Sequence, residues 1–290
     1  MKIGIIIARI GGIDGVALET EKWIKVLRRM GHEIYVVAGQ FEKRKLDTSY
    51  EKRIPELSLF SPESYWGQKK AFFDPDGDPQ EVIGHFELYS ELIFKKLYDW
   101  VSAKDIELVI SENVSALPIH ISLGMAIKKL LERTELPAIT HDHDFAWERG
   151  DQYTSRDKAI NQLVQETFPL RLPNTYHAVI NTAARDTLKE NYNRDSIVVP
   201  NVMDFNQPFG EITDYNKNLK QDLGLEEDDI LLFQVTRIVE RKAIDVAIRL
   251  VEKLDDKRIK LIITGGYVDN EGNKSYYELM DLIHNLGISD

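Results

Sequence analysis

Short apolar runs and amphipathic stretches take turns along this chain, and that alternation restricts the fold more than any other feature. A strand that is apolar on both faces must be covered on both sides, and helices between successive strands supply the cover. Ile3–Ala8 reads as such a strand. It leads into a helix over Val16–Met30 that carries Val16, Leu18, Trp23, Ile24 and Leu27 at a mostly helical spacing. A second strand is expected at Glu33–Ala38, and from Gln40 to about Pro79 the text reads as irregular. A helix over Glu81–Ser102, a strand over Ile106–Ser111, a helix over Ala116–Leu131 and a strand over Pro137–Thr140 follow. Beyond a second irregular stretch around Gly150 come strands at His177–Ile180 and Ser196–Val199, flanking a helix over Ala183–Tyr192.

The periodicity breaks near Asp204–Asp214, around Pro208 and Gly210, which suggests two domains, 1–206 and 207–290. The second is expected to hold a buried strand Ile230–Val235, a helix Ala243–Leu254, a strand Lys260–Thr264 and a helix Ser275–Leu286. The fold class is therefore α/β with parallel sheets, the second domain incomplete, since two βα units are too few for a doubly wound sheet. An uncovered edge on the 230–235 strand would invite self-association. The expectation is a partial polypeptide.

A formal charge of −11 argues against nucleic acid or an anionic membrane as the main partner. With no cysteine there is no disulfide or thiolate chemistry. No apolar run approaches the roughly 20 residues of a membrane span, and the cytoplasm is the expected location.

Four segments carry candidate chemistry. Arg237 and Lys242 lie between the strand Ile230–Val235 and the helix after it, where open α/β sheets bind ligands. Two cations beside backbone N–H groups suit a diphosphate. Gly11-Gly12-Ile13-Asp14-Gly15 closes the first strand, and its three glycines let the backbone approach a ligand closely at the head of the first helix. His141-Asp142-His143-Asp144-Phe145-Ala146-Trp147-Glu148-Arg149 follows the strand Pro137–Thr140; either His141 or His143 could meet a sugar hydroxyl, and Trp147 could stack on a sugar. Glu112 and Asn113 leave the same sheet edge and could read acceptor hydroxyls. Gly265 and Gly266 end the second strand of the second domain; a turn needing positive φ explains them as well as a ligand does. A metal hydrolase would continue the histidine run as H-x-H-x-D-H, but Phe145 and Ala146 stand in the last two places.

In order along the chain, the glycine loop, the strand-end histidine, Pro200-Asn201-Val202-Met203-Asp204 and Arg237-x4-Lys242-Ala243-Ile244-Asp245 resemble retaining GT-B glycosyltransferases of family four. In that family the last motif reads R-x4-K-G-I-D, so Ala243 replaces a glycine. The resemblance implies two Rossmann-like domains facing a cleft and transfer of a hexosyl unit, with retention, from a UDP- or GDP-hexose to an acceptor hydroxyl. It implies His143, Arg237 and Lys242 as catalytic and Gly12, Arg237, Lys242, Gly265 and Gly266 as donor-binding. Asp14, Glu112, Asn113, His141 and Trp147 fall on the acceptor side, and neither a metal nor a cofactor is required. The family's E-x7-E segment would lie beyond Asp290. A non-catalytic nucleotide-sugar-binding module and a GT-B epimerase are the alternatives.

Overall fold

The computed structural model describes residues 1–42, 46–75, 77–203, 205, 210–266 and 274–288. The chain divides into two units, Met1–Met203 and Asp204–Asp290. Asp204 and Pro208, at the break in periodicity, lie outside the described residues.

The first unit runs β1 (Lys2–Ile10), α1 (Gly15–Arg29), β2 (Glu33–Phe41), β3 (Glu51–Arg53), α2 (Pro62–Gln68), α3 (Pro79–Lys104) and β4 (Leu108–Glu112). It continues through α4 (Ile121–Thr134), β5 (Ala138–Asp142), α5 (Lys158–Thr167), β6 (Thr175–Val179), α6 (Thr182–Tyr192) and β7 (Ser196–Val198). The seven strands are parallel in the order β3-β2-β1-β4-β5-β6-β7. Alternation explains the two cores. Ile3, Ile5 and Ile7 of β1 pack with Ile24 of α1 on one face, while Ile6 and Ala8 pack with Ile93 and Leu97 of α3 and Leu123 and Ile127 of α4 on the other. Each fully buried isoleucine contributes about 1.5–3 kcal/mol, so β1 is pinned from both sides.

Chain direction reverses across the sheet between β1 and β4. After β1 the chain moves outward to β2 and β3, and it then returns through α3 to β4 on the other flank. At such a switch point the loops leaving the two strands part and open a crevice, where ligands of open α/β sheets bind.

Several boundaries differ from expectation. The stretch from Gln40 to Pro79 is not irregular: β3, a 3-10 turn at Pro55–Leu57, α2 and a π-turn at Lys69–Phe73 occupy it. These pieces are too short to show a period. The helix expected from Ala116 starts at Ile121, where the His120 ring accepts from the Leu123 N–H at 3.4 Å. The stretch around Gly150 expected to be irregular leads into α5. β5 runs two residues beyond Thr140, which matters for the site.

In the second unit, a short helix α7 (Leu219–Asp222) precedes β8 (Ile230–Gln234), α8 (Ile244–Leu254), β9 (Ile259–Ile263) and α9 (Lys274–Leu286). β8 and β9 pair in parallel as a two-stranded sheet. The expectation of a buried strand here fails, because Phe233 is 48% exposed and Val235 77%. Only one edge of β8 has a partner among the described residues, and the small core of this unit gathers around Ile238, Ile244 and Ile248 with residues of β9 and α9. Among the described residues, no helix is long and apolar enough to cross a membrane.

Candidate functional site

Sheet register assembles the polar cluster of the first unit. Glu112 at the end of β4 pairs with Ile7 of β1 on one side and with His141 of β5 on the other. Cross-strand neighbours project on the same face, so Glu112 Oε2 and His141 Nδ1 meet at 2.9 Å. Both side chains are fully enclosed. The Trp23 ring of α1 stacks on His141 at 4.3 Å, and the His143 ring lies 4.5 Å away. Burial pushes the Glu112 carboxyl above its ordinary value, against the opposing pull of His141. Burial, reinforced by neighbouring His141, pushes His143 down to about 4, so its ring is neutral at physiological pH. Among the described residues, Glu112 Oε1, His141 Nε2 and His143 Nε2 are all buried without a hydrogen-bond partner.

Strand alternation splits the run 140–143. His141 and His143 face α1, whereas Thr140 and Asp142 face the opposite way and meet His177 of β6, the register partner of Thr140. Thr140 Oγ1 lies 2.8 Å from His177 Nδ1 and donates to Asp142 Oδ2 at 2.7 Å. This second polar network was not foreseen, because seeing it requires knowing that β5 continues through Asp142.

Asn113 is the hinge of the cluster. At φ +55° it turns the chain out of β4, and its Oδ1 accepts from the backbone N–H groups of His143 at 2.9 Å and Asp144 at 3.2 Å. It thereby fixes the loop that carries His143. Of the two histidines, His141 is a strand residue with no exposed surface and His143 is the half-buried one at the strand's exit. His141 therefore lies beneath the site rather than on its surface. Trp147 stacks on Phe145 at 4.2 Å and tilts against Tyr192 at 5.6 Å, so packing already occupies its ring. Glu148 accepts from the Phe145 N–H at 2.8 Å, and Arg149 pairs with Asp144.

The glycine loop lies beside this cluster at the exit of β1. Asp14 caps α1 by accepting from the Ala17 N–H at 3.1 Å, and its other oxygen pairs with Arg9 at 3.1 Å. The glycine that the backbone demands is Gly11, at φ +84°, where a Cβ would overlap the Glu42 carbonyl oxygen; at Gly12 it would overlap the end of the Glu42 side chain and touch that of Asp14. Sequence reading also missed Glu19 and Thr20, which are buried on α1. Glu19 pairs with Lys22 at 2.6 Å. Their signal was available: both are polar residues placed inside the apolar stripe of Val16, Trp23 and Leu27.

The second unit holds the two cations. Arg237 and Lys242 are exposed on the turn between β8 and α8, and among the described residues neither forms an ion pair. The turn itself is fixed. Gln234 Nε2 donates to the Lys242 carbonyl at 2.9 Å, and the Ile238 N–H donates to the Gly266 carbonyl at 2.9 Å. A Cβ on Gly265 would overlap the Thr236 carbonyl oxygen. Close approach, rather than positive φ, is therefore what requires glycine there. Ala243 adopts φ +50° at the head of α8, a left-handed conformation that glycine reaches without strain.

Glu112, His141 and His143 could also present atoms to one cation, since one ligand atom from each lies within 4.8 Å of the others.

The chain is 34% identical over 255 residues to a mannosylglucosylglycerate synthase of Petrotoga mobilis, and 34% identical over 262 residues to one of Thermotoga maritima. Each alignment covers 88% of this chain and 57% of the relative, so the chain spans little more than half the length of these relatives. No protein-family model matches it. Among solved structures, a glycosyltransferase from Rickettsia africae superposes with a TM-score of 0.59 at 13% identity, covering 100% of this chain and 66% of that one. WaaG, a glycosyltransferase of lipopolysaccharide biosynthesis, superposes with a TM-score of 0.60 at 10% identity, covering 99% and 67%. The fold is thus the Rossmann-like α/β fold of GT-B glycosyltransferases.

Proposed function

We propose that this chain is part of a retaining hexosyltransferase that moves a hexosyl unit from a nucleoside-diphosphate sugar to an acceptor hydroxyl. The observation that carries this reading is the pair Arg237 and Lys242, exposed and, among the described residues, without ion-pair partners on a turn braced by Gly265. As the glycosidic bond breaks, negative charge grows on the departing diphosphate. A planar guanidinium can hold two of its oxygens and an ammonium adds a compact charge, both already in place. The first unit supplies the acceptor side, with His143 neutral and able to exchange a hydrogen bond with a sugar hydroxyl. The names of the two bacterial relatives suggest the substrates: a mannosyl donor, and glucosylglycerate as the acceptor.

Binding separates this reading from a solvated turn. Thermal-shift and calorimetric titration against UDP, GDP and their hexoses should find one stabilising nucleotide. Arg237→Ala and Lys242→Ala should each weaken that nucleotide at least tenfold without lowering the unliganded melting temperature. In the longer enzyme, Lys242→Ala should slow transfer roughly 10²–10³-fold. Nucleotide binding that ignores both substitutions would refute the assignment.

A further inference from the structure

Away from the Glu112–His141 cluster, a cavity of about 450 Å³ opens at the carboxyl ends of β2 and β3, walled by the Pro55–Leu57 turn, α2 and α3. That size falls within the roughly 300–1,000 Å³ of small-molecule sites. Its walls are tightly held. Gly39 backs onto Leu57 and Ser58 so closely that a Cβ would overlap the Ser58 backbone. The Glu56 carbonyl lies 2.9 Å from His120 Nε2, and the Glu56 carboxylate pairs with Lys96. Ser61 caps α2 by accepting from the Ser64 N–H at 3.1 Å.

The lining chemistry is mixed. Lys96 already neutralises the Glu56 carboxylate, which leaves Glu63 as the acceptor and Arg53, with one N–H on the Gly39 carbonyl at 3.3 Å, as the cation facing the cavity. Sugar hydroxyls fit this set, because they donate to carboxylates and accept from guanidinium. Tyr89 donates to Glu63 at 3.4 Å, and burial raises its hydroxyl pKa further, so it remains a donor. Phe60 presents a large ring at the rim, 67% exposed, which suits the apolar face of a pyranose. The Arg9 guanidinium lies 5.2 Å from the centre of that ring and pairs with Asp14 in the glycine loop. One side chain thus joins the cavity rim to the switch-point crevice.

We propose that this cavity is the acceptor's sugar subsite, holding a hexose ring stacked on Phe60 with its hydroxyls on Glu63 and Arg53. It rests on the reading that the first unit is the acceptor side of a glycosyltransferase, and it places recognition on residues separate from Glu112, Asn113 and His143. The full chain should be titrated calorimetrically with glucosylglycerate, as wild type and as Phe60→Ala and Glu63→Gln, with UDP and GDP titrated in parallel. Phe60 is exposed and Glu63 only partly buried, so neither change threatens folding, and unchanged melting temperatures would verify this. The expected result is saturable binding to wild type, weakened at least tenfold by each substitution, with nucleotide binding unaltered. Absence of saturable sugar binding to wild type, or equal affinity in the variants, would overturn the subsite. Loss of nucleotide binding in Arg237→Ala is read separately and bears only on the donor assignment.

Discussion

Two residues carry conformational or protonic tension that single substitutions can expose. Ala243 sits at φ +50°, where a Cβ costs about 1–2 kcal/mol. Ala243→Gly removes that cost but loosens the unfolded chain by about 0.4–1 kcal/mol. A net gain of about 0.5–1 kcal/mol should appear in urea unfolding followed by a probe in the second unit, and destabilisation would contradict the strain. The protonic tension lies at His143. Its pKa in the folded chain is lowered to about 4 from an ordinary 6.5, so the unfolded state binds more protons between those values. The resulting stability is complete above pH 6.5 and drains away as pH falls toward 4, by about 3 kcal/mol at most. His143→Gln should therefore flatten the pH–stability curve in that window, and parallel curves for variant and wild type would sink the claim. His120, also pushed down to about 4 by burial, stays in both proteins and does not confuse the comparison.

At the scale of elements, the loop after β5 is held by a side chain from β4. Asn113 satisfies two backbone N–H groups and adopts a left-handed turn. Asn113→Ala should cost about 2–3 kcal/mol, roughly 1 kcal/mol per lost hydrogen bond plus the strain. It should also raise amide exchange at His143 and Asp144, whereas unchanged exchange would show that the loop holds itself. The strands and long helices were legible because their period is strong: the apolar run of β1 and the stripe of α1 appear within a residue or two of expectation. The short pieces between Gln40 and Pro79 were not, because three to seven residues cannot display a period. The consequence is functional, since those pieces wall the cavity. The site was legible only in part. Glu112, Asn113 and His143 stand out as polar residues at strand ends. Glu19 and Thr20 stand in the sequence as polar residues inside the apolar stripe of α1, whereas His177 gains meaning only when β6 is placed beside β5.

At the scale of the whole molecule, β8 leaves an edge without a strand partner among the described residues, with Phe233 half-exposed beside it. Such an edge templates pairing with another chain. Sedimentation velocity on this chain should show association that grows with concentration and is reduced by Phe233→Lys. A monomer at every concentration would remove the idea. The first unit differs in kind, since its central strands β1, β4 and β5 are paired on both sides and covered on both faces.

The sequence alone determined the α/β alternation, the strand-to-helix turn bearing Arg237 and Lys242, and the glycine loop. Each is written within a dozen neighbouring residues, where side-chain period and backbone freedom act locally. Only the tertiary structure decided that Glu112 meets His141, that Thr140 meets His177, and that Arg9 joins the glycine loop to Phe60. Those pairings depend on strand order and register, which are fixed by burial summed over the whole sheet. No local stretch of sequence contains that sum.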